Sequence, residues 1–334
     1  MRSIALFLPC LLLLGCREPA PTKDASAQTP KLITAAALPK ARRFRIQYEV
    51  KASALPVGQK LSLWIPVPSD DSWQSISKLA VESPWSWRET REPGAGNRMI
   101  YLSGTPRAST ASIGISYEVT RRPNIAKLDA LATGKTTPEL ARWLKPGRLT
   151  VVDAQVRALA KQAEAGAQGP LQRARAYYDK VFDDMSYDKS GTGWGEGDTL
   201  YACRAGAGNC TDYHSLFISL CRAGSIPVRF QIGLFGAYQR RAKPYRTGGY
   251  HCWAEFHLGE RWIPVDISEA DKAEDRDRFF GHHSTNRVTL STGRDVILEP
   301  RQAGAPLNYF VDPYGEAEGK PLTGLKKIVT WTDL

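Results

Sequence analysis

Two apolar-rich segments separated by only two residues constrain this chain more than any other feature. Residues 250–258 (YHCWAEFHL) and 261–267 (RWIPVDI) both read as strands, and Gly259-Glu260 between them suits a type II′ hairpin turn with glycine first. In that register Leu258 opposes Arg261, Trp253 opposes Asp266 and His251 opposes Ser268. His251, Trp253 and Asp266 then share one face of the sheet, with His251 and Asp266 as diagonal neighbours at roughly 7–8 Å between backbones. One residue more or less in the turn would send Asp266 to the opposite face. Asp266 is thus placed to accept a hydrogen bond from one imidazole nitrogen and leave the other free. Alternation points Cys252 away from His251, into the core.

Upstream, residues 208–224 (GNCTDYHSLFISLCRAG) read as a helix that starts after Gly208-Asn209 and stops at Gly224. Cys210 falls in its first turn. There the unpaired N–H groups and the positive end of the helix dipole favour a thiolate over a thiol. The same N–H groups suit a developing oxyanion. A nucleophilic cysteine needs a base, and the base needs an orienting acceptor. Cys210, His251 and Asp266 supply the three residue types.

The chain has 334 residues, long for one core and comfortable for two domains, with the composition of ordinary globular protein. Its formal charge of +11 admits nucleic-acid or anionic-surface partners. No run of Lys/Arg interleaved with aromatics suits a nucleic-acid groove, so a nucleic-acid partner is not expected. Met1-Arg2-Ser3 and the apolar run 4–14 read as a secretory signal, too short to span a bilayer as a helix. Leu13-Leu14-Gly15-Cys16 resembles the bacterial lipobox. That resemblance implies cleavage before Cys16 and lipid attachment to its thiol, so that the protein is anchored to a membrane and does not span it. Arg17, where an Asp would retain a lipoprotein at the inner membrane, implies the outer membrane of the cell envelope, facing the periplasm. Residues 16–40 read as a flexible tether. Short alternating strands over 41–123 read as a small antiparallel β-sandwich. Helices are expected over 137–144, 152–165 and 170–182, a glycine-rich loop over 188–198, and weak strands over 294–298 and 327–331. A catalytic domain is placed at 124–290, with 291–334 as strands completing it.

The segments GNCTDYHSLFISLCRAGSIPVRFQIG and GYHCWAEFHLGERWIPVDISEA resemble the core of the transglutaminase-like superfamily, densely over about 170–275. The resemblance implies an α+β, papain-like core in which a helix carrying Cys packs on an antiparallel sheet. It also implies that the preceding strands are the amino-terminal β-domain of bacterial members. Carried over, Cys210 is the nucleophile, His251 the general base and acid, and Asp266 the orienting carboxylate. Papain-type proteases share the Cys-first order, but they usually end on Asn. The family often places an upstream aromatic near the oxyanion; Tyr201 and Trp194 are the candidates. Trp253, on the His251 face, joins them as a substrate-contact candidate.

The expected chemistry is thiol-dependent acyl transfer on an amide of a peptide or protein, with hydrolysis favoured over transamidation by analogy. It requires no metal or organic cofactor. The alternative is a lipid-tethered binding or assembly protein that keeps the fold without turnover. Other features carry blander expectations. His214 is expected on the helix surface and Asp212 at the helix start. His282-His283 reads as a solvated loop and 269–277 as a solvated acidic surface. The basic stretch Arg240, Arg241, Lys243, Arg246 reads as a solvated loop or a border of the site favouring acidic substrates. Cys203, Cys221 and Cys252 leave a periplasmic disulfide open.

Overall fold

A computed structural model describes residues 40–128 and 137–334. The signal segment, most of the tether and Cys16 lie outside the described residues. Among those described, no helix is long and apolar enough to cross a membrane.

The first part of the chain is all strand: β1 (Arg42–Ala52), β2 (Leu61–Pro66), β3 (Gln74–Glu82), β4 (Ser86–Arg91), β5 (Arg98–Gly104) and β6 (Ala111–Arg121). In β1 the alternation expected of a half-buried strand is nearly complete, with Phe44, Ile46, Tyr48 and Val50 inward and Arg43, Arg45 and Gln47 outward. After β7 (Asn124–Ile125) come α1 (Pro138–Ala141), which continues as a 3-10 turn at Arg142–Leu144, and α2 (Ala154–Ala163). Then follow α3 (Gly169–Asp184), β8 (Ser186–Tyr187), α4 (Thr199–Ala205), β9 (Ala207–Gly208) and α5 (Cys210–Ala223). The second strand-rich region holds β10 (Val228–Phe235), β11 (Tyr245–Arg246), β12 (His251–Leu258) and β13 (Arg261–Val265). It is followed by α6 (Ile267–Ala273), β14 (His282–His283) and β15 (Arg287–Thr292). The chain ends with β16 (Tyr314–Ala317), β17 (Lys320–Pro321) and β18 (Leu325–Asp333).

These elements make two five-stranded antiparallel sheets, in the orders β11-β18-β1-β6-β3 and β17-β16-β2-β5-β4, and a four-stranded sheet β13-β12-β10-β15. The architecture is α+β: amino-terminal antiparallel sheets and a core of helices packed on a sheet. Two expectations are corrected here. The carboxy-terminal strands complete the β-domain and not the catalytic domain, because β18 pairs with β1 and β16 with β2. Over 294–298 there is only an isolated bridge, Val296 to Leu307; the strand in that region is β15.

The β-domain docks on the free edge of the four-stranded sheet. Gln74 meets the backbone of Thr289, accepting from its N–H at 3.0 Å and donating to its carbonyl at 3.0 Å. Asn97 does the same for Thr292, at 2.7 and 2.8 Å. Side-chain amides thus occupy edge groups that would otherwise offer a template for another strand.

Helix α5 is central. Every residue from Cys210 to Cys221 is buried, so the helix is enclosed all round, as its apolar run Leu216, Phe217, Ile218, Leu220 allows. Phe217 meets Phe256 of β12 edge-on, at 6.4 Å between ring centroids. Burying each such side chain contributes roughly 1.5–3 kcal/mol. A helix with no solvent face cannot carry His214 on its surface, and that expectation is overturned: His214 is fully buried.

Candidate active site

The start of α5 is set by a capping box. The Asn209 side chain accepts from the Thr211 N–H at 2.8 Å, and Asp212 accepts from the Asn209 N–H at 2.9 Å. Asp212 also accepts from the N–H groups of Gly195 (2.8 Å) and Gly197 (3.0 Å), which draws the glycine-rich loop against the helix start. Gly208 is required by close approach, since a Cβ there would lie 2.4 Å from an Asp212 carboxylate oxygen. This construction holds Cys210 at the first turn, 3% exposed.

The hairpin has the anticipated register. Leu258 pairs with Arg261 and Ala254 with Val265, which carries Trp253 opposite Asp266. Gly259 has φ of 63° while Glu260 is not left-handed, as the type II′ turn requires. His251 and Asp266 consequently meet: His251 Nε2 donates to Asp266 Oδ2 at 2.8 Å. The Cys210 thiol hydrogen-bonds to the same imidazole, which leaves Nδ1 as the nitrogen facing sulfur. The structure therefore brings Cys210, His251 and Asp266 into one line.

Asp266 is the most elaborately held of the three. It caps α6, where Oδ1 accepts from the Glu269 N–H and the Ser268 hydroxyl, both at 3.3 Å. Arg287 Nη1 donates to Oδ2 at 3.0 Å. The Arg287 guanidinium is fully buried and stacks on Trp253 and Phe235, at 4.8 and 5.2 Å to the ring centroids. Burial alone would push the Asp266 carboxyl up; the charges of His251 and Arg287 overcome it and hold the group well below the usual carboxylate range. Burial likewise lowers His251, but Asp266 and then Cys210 outweigh it and raise the imidazole to about 10. A hydrogen bond from the Cys252 thiol comes first in lowering Cys210, and His251 adds to it; together they hold Cys210 well below an ordinary thiol against the opposing effect of burial. The combination favours a thiolate–imidazolium pair.

Cys252 does point away from His251, yet it is not mere core. Its sulfur is 3.7 Å from His214 Nδ1 and hydrogen-bonds to Cys210. His214 is pinned between Nδ1 donating to the Cys210 carbonyl (2.7 Å) and Nε2 accepting from the Ile267 N–H (3.1 Å). That pattern defines a neutral tautomer, and burial lowers its pKa further. His214 ties the helix carrying Cys210 to the strand end carrying Asp266. Among the described residues Cys210, Cys221 and Cys252 are free thiols.

The aromatic candidates fare differently. Trp253 is fully buried, with Nε1 donating to Gln231 at 2.6 Å, so it is packing beneath His251 and not a substrate contact. Tyr201 packs on Gly193 and feels the Asp212 charge, while Trp194 sits in the glycine-rich loop 5.8 Å from Lys189 Nζ. The aromatics set beside the thiol are instead Tyr250 and Tyr187. Burial, then the Cys210 charge, raises both hydroxyls, Tyr187 to about 12. Asn209 Nδ2 donates to Tyr250 Oη (3.1 Å), Tyr250 bonds to Tyr309, and Tyr309 donates to the Gly195 carbonyl (3.4 Å), which ties the loop to the helix start. Adjacency of Tyr250 to His251 is the available sequence signal; nothing local marks Tyr187, Arg287 or Tyr309.

Two further expectations are corrected. His283 is fully buried and lies edge-on to Trp253 at 5.6 Å. Residues 267–273 form α6, with Glu269 bonded to Tyr238 (2.5 Å) and Lys272 (2.6 Å), and Asp271 to Tyr213 (3.0 Å). The basic stretch at 240–246 is exposed, as a solvated loop would be, and lies along β18: Arg240 donates to the Leu334 carbonyl, and the Arg241 N–H donates to Asp333. Among the described residues no His/Cys/Asp/Glu cluster could hold a metal ion.

Comparison with known proteins agrees with this geometry. Residues 157–267, which include Cys210, His251 and Asp266, match the family model of the transglutaminase-like superfamily, and the chain therefore carries a transglutaminase-like domain. An uncharacterised protein of Haemophilus influenzae is 25% identical over 301 residues, covering 78% of this chain and 82% of its own. A candidate cysteine protease from Cytophaga hutchinsonii, solved at 1.9 Å, superposes with a TM-score of 0.60 at 18% identity, over 88% of this chain and 91% of that one. The last likeness speaks to the fold alone.

Proposed function

We propose that the protein is a cysteine hydrolase that cleaves an amide bond of a peptide or protein. The observation that carries this reading is the line Cys210–His251–Asp266, with His251 Nε2 committed to Asp266 and its other nitrogen to the thiol. In the proposed reaction the Cys210 thiolate attacks the amide carbonyl. The negative oxygen develops beside the Cys210 backbone N–H at the start of α5, where the helix dipole favours it. The His251 imidazolium donates its Nδ1 proton to the departing amine and then takes one from water, which resolves the thioester. Asp266 keeps the imidazole oriented throughout and favours its charged form whenever it holds the second proton. A primary amine in place of water would give transamidation; the transglutaminase-like fold supports both, and analogy with bacterial members favours hydrolysis.

The test is alkylation of Cys210 at mildly acidic pH, read residue by residue by mass spectrometry, with His251→Ala alongside. Cys210 is expected to react faster than Cys203, Cys221 and Cys252 and to lose that advantage without His251. Peptide-library cleavage is then expected to fall by about 10²–10⁴-fold in His251→Ala. A Cys210 that is inert, or indifferent to His251, would leave a binding protein that keeps the fold.

From Leu13-Leu14-Gly15-Cys16 we propose further that the mature chain starts at Cys16, carries lipid there, and works at the outer membrane facing the periplasm. Metabolic labelling with a radioactive fatty acid is expected to mark the wild-type chain and not Cys16→Ser.

A further inference from the structure

A cleft of about 520 Å³ lies at the seam between the β-domain and the helical layer, within the ~300–1,000 Å³ typical of small-ligand sites. Loop 92–97, the segment 142–150, Arg222 at the end of α5 and residues 292–297 enclose it. Trp143, Phe230 and Val296 give it apolar walls. Four cations line it, Arg142, Lys145, Arg222 and Arg294, against two carboxylates, Glu92 and Asp295.

Both carboxylates are already engaged elsewhere. Glu92 accepts from the backbone N–H groups of its own turn, including Ala95 at 2.8 Å and Asn97 at 3.0 Å. Asp295 accepts from the Arg148 N–H at 2.9 Å and pairs with its guanidinium at 3.4 Å. The arginines, in contrast, are fixed by neutral oxygens. Arg222 donates to the Trp143 carbonyl (3.3 Å) and the Thr150 hydroxyl (2.6 Å). Arg294 donates to the Ser215 hydroxyl (2.7 Å), the Asn308 side chain (2.9 Å) and the Glu196 carbonyl (2.9 Å). Arg142 donates to the Gly94 carbonyl and lies 4.7 Å over the Trp143 ring. Burial, and then the charge of Arg294, pushes Arg222 down to about 10, so the two guanidiniums repel one another. The Asp295 charge reaches both Arg222 and Arg294 but is shared with Arg148, so positive charge stays in excess; cations held by neutral oxygens in a walled cleft are preorganised for an anion.

We propose that this cleft is a binding site for an organic polycarboxylate of the size of an acidic di- or tripeptide. Arg222 and the Arg142–Lys145 rim receive the carboxylates, and Trp143 and Phe230 receive the carbon skeleton. The apolar walls are what select such a ligand over a bare inorganic ion. The site is independent of the cysteine chemistry, so its fate and that of the proposed hydrolase are separate.

The experiment is calorimetric titration of the wild-type chain with triglutamate, trilysine and inorganic phosphate at two salt concentrations. Triglutamate is expected to bind, more weakly at higher salt, and trilysine not to bind. The double variant Arg142→Glu/Lys145→Glu, both positions being exposed, is expected to keep its melting temperature and lose about tenfold or more in affinity. Arg222→Met is expected to weaken binding as well. No heat with triglutamate, or equal binding by the double variant, overturns the proposal; phosphate binding as tightly as triglutamate overturns the polycarboxylate class.

Discussion

The two faces of the four-stranded sheet are built on opposite principles. The face toward α5 carries Ile232, Leu234, Ala254, Phe256, Val288 and Leu290, all buried and apolar. The other face carries Arg229, Gln231, His251, Trp253, Glu255, Arg287 and Thr289, most of them paired with a particular residue, while Thr289 Oγ1 and Arg287 Nε and Nη2 are buried without a hydrogen-bond partner. Trp253 bonds to Gln231, Arg229 to Glu255 (2.6 Å), His251 and Arg287 to Asp266. Apolar burial is non-directional, so the first face needs only shape and volume. Buried polar groups are costly unless satisfied, so the second needs particular residues at particular places. Cys252 and Ser291 are exceptions on the apolar face: Cys252 addresses the Cys210 sulfur, and the Ser291 hydroxyl donates to the Phe310 carbonyl (2.5 Å).

Arg287→Met strips one counter-charge from the buried Asp266 and is expected to cost about 3–5 kcal/mol in urea unfolding. Adding Asp266→Asn should return part of that stability without restoring Cys210 reactivity. A cost for Arg287→Met as small as a surface change would mean that the polar face is not a network. Trp253→Phe leaves the Gln231 acceptor buried without its donor and is expected to cost about 1–3 kcal/mol, with slower Cys210 alkylation because His251 loses its support. Ile232→Val, on the apolar face, should cost about 0.5–1.5 kcal/mol and leave the alkylation rate untouched; a change in that rate would show that the faces are coupled. Cys252→Ala should barely alter stability but should shift the pH profile. In the wild type the alkylation rate is expected to fall on the acid side as the thiolate protonates, and the proposed turnover to fall on the alkaline side as His251 loses its proton at about 10. Loss of the Cys252 hydrogen bond should move the acid limb upward, toward ordinary thiol behaviour; an unmoved limb would make Cys252 mere packing.

Much of the site is legible in the amino-acid order alone. The two-residue Gly259-Glu260 turn and a side-chain period of two place His251 and Asp266 on one face, and the Asn209–Asp212 cap places Cys210 at a helix start. The α5 stop at Gly224 and the lengths of α2 and α3 are readable within a few residues for the same reason, since caps and periodicity act over one or two turns. The aromatics beside the thiol are not readable in this way. Proximity to Cys210 is a tertiary property, and Tyr187 and Tyr250 approach it from two separate segments.

By itself, then, the sequence determined the hairpin register, the capped helix and the residue types of the candidate triad, because each rests on interactions between residues close along the chain. Only the tertiary structure decided that β18 and β16 close the amino-terminal sheets, that Arg287 neutralises Asp266, and that His214 is enclosed and neutral. Those outcomes depend on which distant surfaces bury one another. A buried arginine or histidine has no local pattern: its partner is selected by the cost of leaving it unsatisfied once the surrounding layers have closed.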